Sequence, residues 1–179
     1  MNRFLQILGT AAILGSVFVS PVGATPANEF LAGHIRLAAA VEANGVDFVI
    51  DHPLCKEYGG IDGFYNGSVL AVCLNPRSQG EWTANDYDTL RHEAHHMVQD
   101  CLGDGQANFI FTGRTTIFED VERAALVLGL TPADIGRIRK GYAHLDEKGI
   151  NHEIEAFAVA QGVNANTIAD AVHNLCTAQ

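Results

Sequence analysis

Three residues restrict this chain more than any others: His92, Glu93 and His96, inside the run DYDTLRHEAHHMVQDC at Asp86–Cys101. On an α-helix, positions i and i+4 lie one turn apart on one face, so both imidazoles reach a single metal ion. Glu93 follows the first histidine directly and leans over the open side of such an ion. Two histidines do not complete a coordination shell. The fold must therefore bring another donor from elsewhere in the chain to this helix face.

The 179 residues suffice for one domain with a real core, but not comfortably for two. The first segment reads as an export signal rather than part of that domain. Arg3 gives a positive start, Phe4 to Val19 carry no charge, Pro21 breaks the run, and small residues precede a cleavage point after Ala24. Residues 1–24 are thus expected to be a cleaved signal peptide and 25–179 a single domain, secreted or periplasmic. The run is short for a membrane span and holds Gly9, Gly15 and Pro21, so no stable membrane association is expected after cleavage.

Cleavage would remove one arginine and no acid, leaving a chain one unit more negative than the formal −10 of the whole. Such a surface repels nucleic acid and anionic lipid, and mildly favours cationic partners. Four cysteines, Cys55, Cys73, Cys101 and Cys176, fall in the exported part. An even count in an oxidising compartment argues for two disulfides, with three pairings open. Cys55–Cys73 clamping a local β region, with Cys101–Cys176 tying the histidine helix to the C-terminus, is the preferred set. A thiolate metal site is disfavoured, because no C-x-x-C spacing occurs.

In chain order, Asn28–Glu42 has helical apolar recurrence, and Gly45 is placed to stop it. Phe48–Ile50 reads as a short strand ended by His52-Pro53. Asn66-Gly67 lies between two apolar runs and predicts a hairpin with a two-residue turn within Ile61–Leu74. The strand Val69–Leu74, closed by Asn75-Pro76, is a candidate sheet edge for an extended peptide. Thr83 is a possible N-cap for the histidine helix, which Gly103 and Gly105 end. Residues 104–117 read as a loop near the site. Further helices are expected over Phe118–Leu128, Pro132–Tyr142, Ile150–Gln161 and about Asn166–Cys176. The fold class is α+β: a small antiparallel, hairpin-bearing sheet packed on several helices, including the one that carries the histidines.

A catalytic metal needs three protein ligands and an open position. A metzincin places glycine and histidine where this chain has Gln99 and Leu102, which excludes that class. The alternative is a carboxylate from a later helix. His152-Glu153-Ile154-Glu155-Ala156-Phe157-Ala158 supplies one, with Glu153 lying 57 residues past His96.

HEAHH followed by EIEAFA resembles the gluzincin type of zinc metallopeptidase, in which H-E-x-x-H precedes a helix carrying a glutamate ligand. The resemblance covers these two segments only. It implies a zincin-like fold and Zn²⁺ held by His92, His96 and Glu153. Glu155, roughly on the opposite helix face, is the alternative third ligand. It also implies hydrolysis of peptide or protein substrates, with Glu93 as general base toward a water at the metal's open position. Tyr142, His144 and His152 are candidate donors to the developing oxyanion. Phe157 stands where a thermolysin-like pattern has an aspartate that orients a histidine ligand, so another acceptor is required, for which Asp100 is placed. The competing reading is a non-catalytic secreted zinc-binding or interaction domain on the same scaffold. A third, hydrolysis of a non-peptide amide, shares the site. His34, His52, His95 and His173 read as surface or packing residues rather than ligands, and Trp82 and Phe157 as core.

Overall fold

The computed structural model describes residues 27–76, 80–104 and 115–176. The expected signal peptide and most of the expected loop at 104–117 lie outside them. Among the described residues no helix is long and apolar enough to cross a membrane. They form seven helices and a three-stranded sheet, a mixed α+β arrangement.

Helix α1, Ala27–Ala43, stops where Gly45 takes φ 78, a conformation that glycine adopts without strain. Strand β1, Asp47–Ile50, follows. The sequence reading missed the short helix α2, Pro53–Glu57: the His52 ring nitrogen Nδ1 accepts from the Leu54 N–H at 3.2 Å, and Pro53 opens the first turn. Strands β2, Gly63–Tyr65, and β3, Val69–Val72, make the expected hairpin. Its turn is shifted by one residue. Asn66 pairs with Val69 through its N–H (3.1 Å), so Gly67-Ser68 are the central residues, with Gly67 at φ 88. The Asn66 side-chain oxygen instead accepts from the main-chain N–H of Ser68 and Val69.

The sheet corrects two expectations. Its order is β1-β3-β2, with β1 parallel to β3 and β2 antiparallel to it, so the sheet is mixed rather than antiparallel. Strand β3 is therefore central, not an edge. The reason is visible in its residues: Leu70, Ala71 and Val72 are all fully buried, and successive side chains on a strand point to opposite faces. An edges-and-one-face strand would have alternated. The free edges belong to β1 and β2.

Helix α3, Ala84–Asp104, carries the histidines. Its start is a reciprocal cap: the Thr83 N–H and hydroxyl donate to Asp86 Oδ2 at 2.6 and 2.7 Å, and the Asp86 N–H approaches Thr83 Oγ1 at 3.4 Å. Helix α4, Val121–Val127, begins three residues later than expected because Asp120 caps it, accepting from Arg123 N–H. Thr131 and Asp134 close a capping box on α5, Pro132–Gly141. Asp146 caps α6, Glu147–Gly162, and Asn164 accepts from Thr167 N–H at the start of α7, Ala165–Cys176.

The α3 helix sits at the centre. Leu90, Ala94, Met97 and Val98 pack in one cluster with Leu37 and Val41 of α1, Leu70 and Val72 of β3, and Ile168 and Val172 of α7. A second cluster joins α4, α5 and α6 through Ala125, Ile135, Ile138, Ile150 and Ile154. Both preferred disulfides are present, Cys55–Cys73 and Cys101–Cys176. The second fixes the end of α3 to the end of α7. Two disulfides fit an oxidising compartment.

Candidate metal centre

Helical spacing puts His92 and His96 one turn apart on the face of α3 that meets α6. Their Nε2 atoms lie 3.1 Å from each other. Glu153 of α6 straddles the pair, with Oε2 at 3.4 Å from His92 Nε2 and Oε1 at 3.5 Å from His96 Nε2. A tetrahedral ion with bonds of about 2.0–2.1 Å sets its ligands about 3.3 Å apart, so the three donors are spaced as one ion requires. Burial alone would push the Glu153 carboxyl up. Where His92 and His96 carry protons on the nitrogens that face it, their hydrogen bonds and charges outweigh burial and hold the group well below the usual carboxylate range. Glu93 also groups with His92 and His96, the potential ligand atoms of the three lying within 4.8 Å of one another.

His92 and Glu93 line an open cleft of about 360 Å³, with His96 and Glu153 behind them outside its lining. Gly60–Gly63, leading into the edge strand β2, line the same cleft, as do Tyr142 and Phe157. Gly63 allows the close approach: a Cβ there would lie 2.5 Å from Thr89 Cγ2, 2.6 Å from the Ala71 carbonyl oxygen and 3.4 Å from Glu93 Cγ. The edge strand beside the cleft is therefore β2, where the sequence had pointed to Val69–Leu74.

The three candidate oxyanion donors separate in space. Tyr142 lines the cleft and hydrogen-bonds Glu153; burial, then the negative charges of Glu153 and Glu93, push its phenol far up, so it stays protonated and able to donate. His144 is exposed beyond it, its ring stacked on Tyr142 at 6.3 Å. His152 is buried in α6 and does not line the cleft. Phe157 is not core, as its residue type suggested: it is exposed, lines the cleft and packs on the His92 ring at 4.4 Å. Trp82 lines a separate apolar groove with Phe48 and Tyr87.

The two glutamates of α6 face different ways. Glu155 does not approach the His92–His96 pair but is buried against His95, whose Nε2 lies 2.9 Å from its Oε1. Burial, partly offset by that bond, lowers the His95 pKa, while the donors around Glu155 overcome burial and lower its own. A neutral imidazole thus donates to an ionised carboxylate. The acceptor for His96 is also not the one expected. Its Nδ1 lies 2.8 Å from Gln99 Oε1, where Asp100 had been the candidate. The Nδ1 of His92 is buried with no hydrogen-bond partner among the described residues.

Sequence reasoning missed Gln99 and Arg91. Gln99 lies three residues past His96 and seven past His92, on the same helix stripe, a spacing that marks it in retrospect. Arg91, adjacent to the first histidine, is buried and knits three helices: its Nε donates to the Ala160 carbonyl of α6 at 2.7 Å, its Nη1 to His34 Nε2 of α1 at 3.0 Å, and its Nη2 to Asp88. Since a guanidinium only donates, His34 must accept at Nε2 and carry its proton on Nδ1, facing the Phe30 carbonyl at 2.7 Å. Burial lowers the His34 pKa accordingly. His52 serves as a helix cap and His173 is exposed on α7. Comparison of the chain with protein-family models, with curated proteins and with solved structures gave no match.

Proposed function

We propose that the protein is an exported zinc-dependent peptidase of the gluzincin type, with His92, His96 and Glu153 as metal ligands and Glu93 as general base. The observation that carries this reading is the triangle of His92 Nε2, His96 Nε2 and the Glu153 carboxylate, with edges of 3.1, 3.4 and 3.5 Å, whose His92 corner lines an open cleft together with Glu93. Two imidazoles and one carboxylate are a donor set that suits zinc, and three protein ligands leave a fourth position open. Zinc bound there would supply Lewis acidity, polarising a carbonyl and lowering the pKa of a water beside it.

The chain's own residues supply the remainder. Glu93 borders the cleft, takes a proton from the attacking water and passes it to the leaving amine. Tyr142, which also lines the cleft, turns its hydroxyl from Glu153 to the oxygen of the scissile carbonyl as charge develops on it. Phe157 excludes water from the His92 ring. The edge strand β2 offers main-chain groups to an extended substrate.

Metal analysis and a peptide-library cleavage assay on the exported form test the proposal. Stoichiometric zinc and cleavage that falls about 10²–10⁴-fold in Glu93→Gln, the usual contribution of a general base, are expected. Zinc without cleavage of any peptide, or activity indifferent to Glu93→Gln, would favour a non-catalytic metal-binding domain instead.

A further inference from the structure

We propose that Gln99 and Glu155 are positioning residues that lock the tautomer and ring orientation of His96, so that its Nε2 lone pair is presented to the metal centre. This rests on the metal-centre reading above, but its first test does not need a metal.

Glu155 is fully buried. Its Oε1 accepts from the Ile117 N–H at 3.0 Å and its Oε2 from the Phe118 N–H at 3.0 Å. His95 Nε2 adds a third contact and Gln99 Nε2 a fourth, at 2.9 and 3.1 Å. With both oxygens already taking main-chain donors, this carboxyl group acts as an acceptor toward Gln99. The second partner of Gln99 Nε2 is the His152 carbonyl oxygen, also 3.1 Å away and also an acceptor only. Two acceptors on one side fix which end of the amide is which. The NH₂ group faces Glu155 and His152, and Oε1 faces His96.

An amide oxygen cannot donate, so at 2.8 Å the proton of that contact belongs to His96 Nδ1. A neutral imidazole protonated at Nδ1 has its lone pair on Nε2, the atom that faces His92 and Glu153. Gln99 is itself fully buried, so no water competes for the amide. One further consequence follows from the position of the acceptors. His152 and Glu155 flank Glu153 on α6, so the bonds from Gln99 also set the height of Glu153 against α3. Residues orienting a metal-bound histidine typically change metal affinity about 10–100-fold when removed.

The test has two arms on the full exported chain. In the metal-free wild type, at a pH where its histidines are neutral, imidazole ¹⁵N shifts should show His96 as a single Nδ1–H tautomer. An Nε2–H tautomer, or a mixture of the two, overturns the proposal. In the second arm, Gln99→Leu is compared with wild type for Zn²⁺ affinity by competition with a chromophoric chelator and for the visible spectrum of the Co²⁺ form. Affinity about 10–100-fold weaker with a shifted Co²⁺ spectrum is expected, in a variant whose circular dichroism is retained. A lower melting temperature with metal affinity within about twofold of wild type would mean a merely structural role and overturn it. Should Gln99→Leu not fold, the ¹⁵N arm decides alone. Should the wild type bind no metal, the peptidase reading fails while the tautomer still reports whether Gln99 holds His96.

Discussion

Gly63→Ala is the sharpest test of how the cleft is built. A methyl group at Gly63 would stand 2.5 Å from Thr89 Cγ2 and 2.6 Å from the Ala71 carbonyl oxygen. Ordinary carbon contacts sit at about 3.5–4.0 Å, so the overlap with Thr89 alone exceeds about 1 Å. Rotation of Thr89 can relieve one contact, but the Ala71 oxygen is main chain in the central strand and cannot move cheaply. Strand β2 would have to withdraw from α3 and β3 together, and inserting one methyl group into packing this tight costs about 3 kcal/mol, the upper end of the usual range. With a urea slope of about 2 kcal/mol/M, the unfolding midpoint falls by about 1.5 M at unchanged slope. Gly136→Ala is the control: it lies inside α5, nothing stands within 4 Å of its Cβ position, and helix propensity predicts a gain of up to about 1 kcal/mol. Adding Thr89→Ser removes Cγ2 but not the Ala71 oxygen, so the double variant should recover only part of the loss. A Gly63→Ala midpoint equal to wild type would mean that β2 does not lie against Thr89 and Glu93.

Loop-closure entropy over separations of 75 and 18 residues gives about 4.5 kcal/mol for Cys101–Cys176 and about 3.2 kcal/mol for Cys55–Cys73. Urea titrations of the two double Cys→Ala variants should rank them in that order, and the reverse order would sink the entropic account. Acid should destabilise the metal-free protein from about pH 6.5 downward. Burial lowers the folded-state pKa of His34 and of His95, so below the ordinary imidazole value of about 6.5 the unfolded chain takes up protons that the folded one refuses, each adding up to about 1.4 kcal/mol per pH unit to the slope. Glu155, also lowered, extends the loss through the carboxylate range; a flat stability profile between pH 7 and 5 in chelator would contradict both assignments. Asp62 and Asp88 line the cleft, and no lysine or arginine does among the described residues. If the peptidase reading holds, Asp62→Asn should lower kcat/KM about threefold for peptides with Lys or Arg beside the scissile bond, the effect of one charge at about 6 Å in water, and leave neutral peptides unchanged. Equal losses on both would place Asp62 in a structural role.

Much of the fold was legible because its signals are local. Thr131-Pro132 with Asp134, Thr83 with Asp86, and the glycine turn at 67 each fix a boundary through groups within three residues of one another. The parallel pairing of β1 with β3 was not legible. Four residues of strand say nothing about a partner 22 positions away, and the choice rests on how α1 and α3 cover the sheet. The central place of β3 did have a signal, since Val69–Leu74 is apolar without alternation, as in a strand covered on both faces. At the site, His92, Glu93 and His96 were readable from helical spacing. The separation of Glu153 from Glu155 followed from the same geometry, because two residues on a helix diverge by about 200°.

That divergence explains why a segment with two glutamates can lack the aspartate of the pattern it resembles. One turn of α6 points Glu153 at the histidine pair and Glu155 into the interior beside His95 and Gln99. The position one turn beyond Glu153 faces the cleft, and an aromatic ring there covers the His92 ring where a carboxylate would have accepted from it. The acceptor present serves the other histidine from the other helix: Gln99 faces His96 from within α3 itself. A neutral amide polarises an imidazole less than a carboxylate does, but it carries its own two donors, and Glu155 uses one of them to fix the amide in place. The charge stands one hydrogen bond further from the histidine pair, in a position where four donors hold it out of water. Removing that charge by Glu155→Gln should accordingly disturb His96 more than His92, and selective ¹⁵N shift changes at His96 in the metal-free protein are the expected result. Equal changes at both rings would show that Glu155 acts on the packing of α3 against α6 as a whole and not through Gln99.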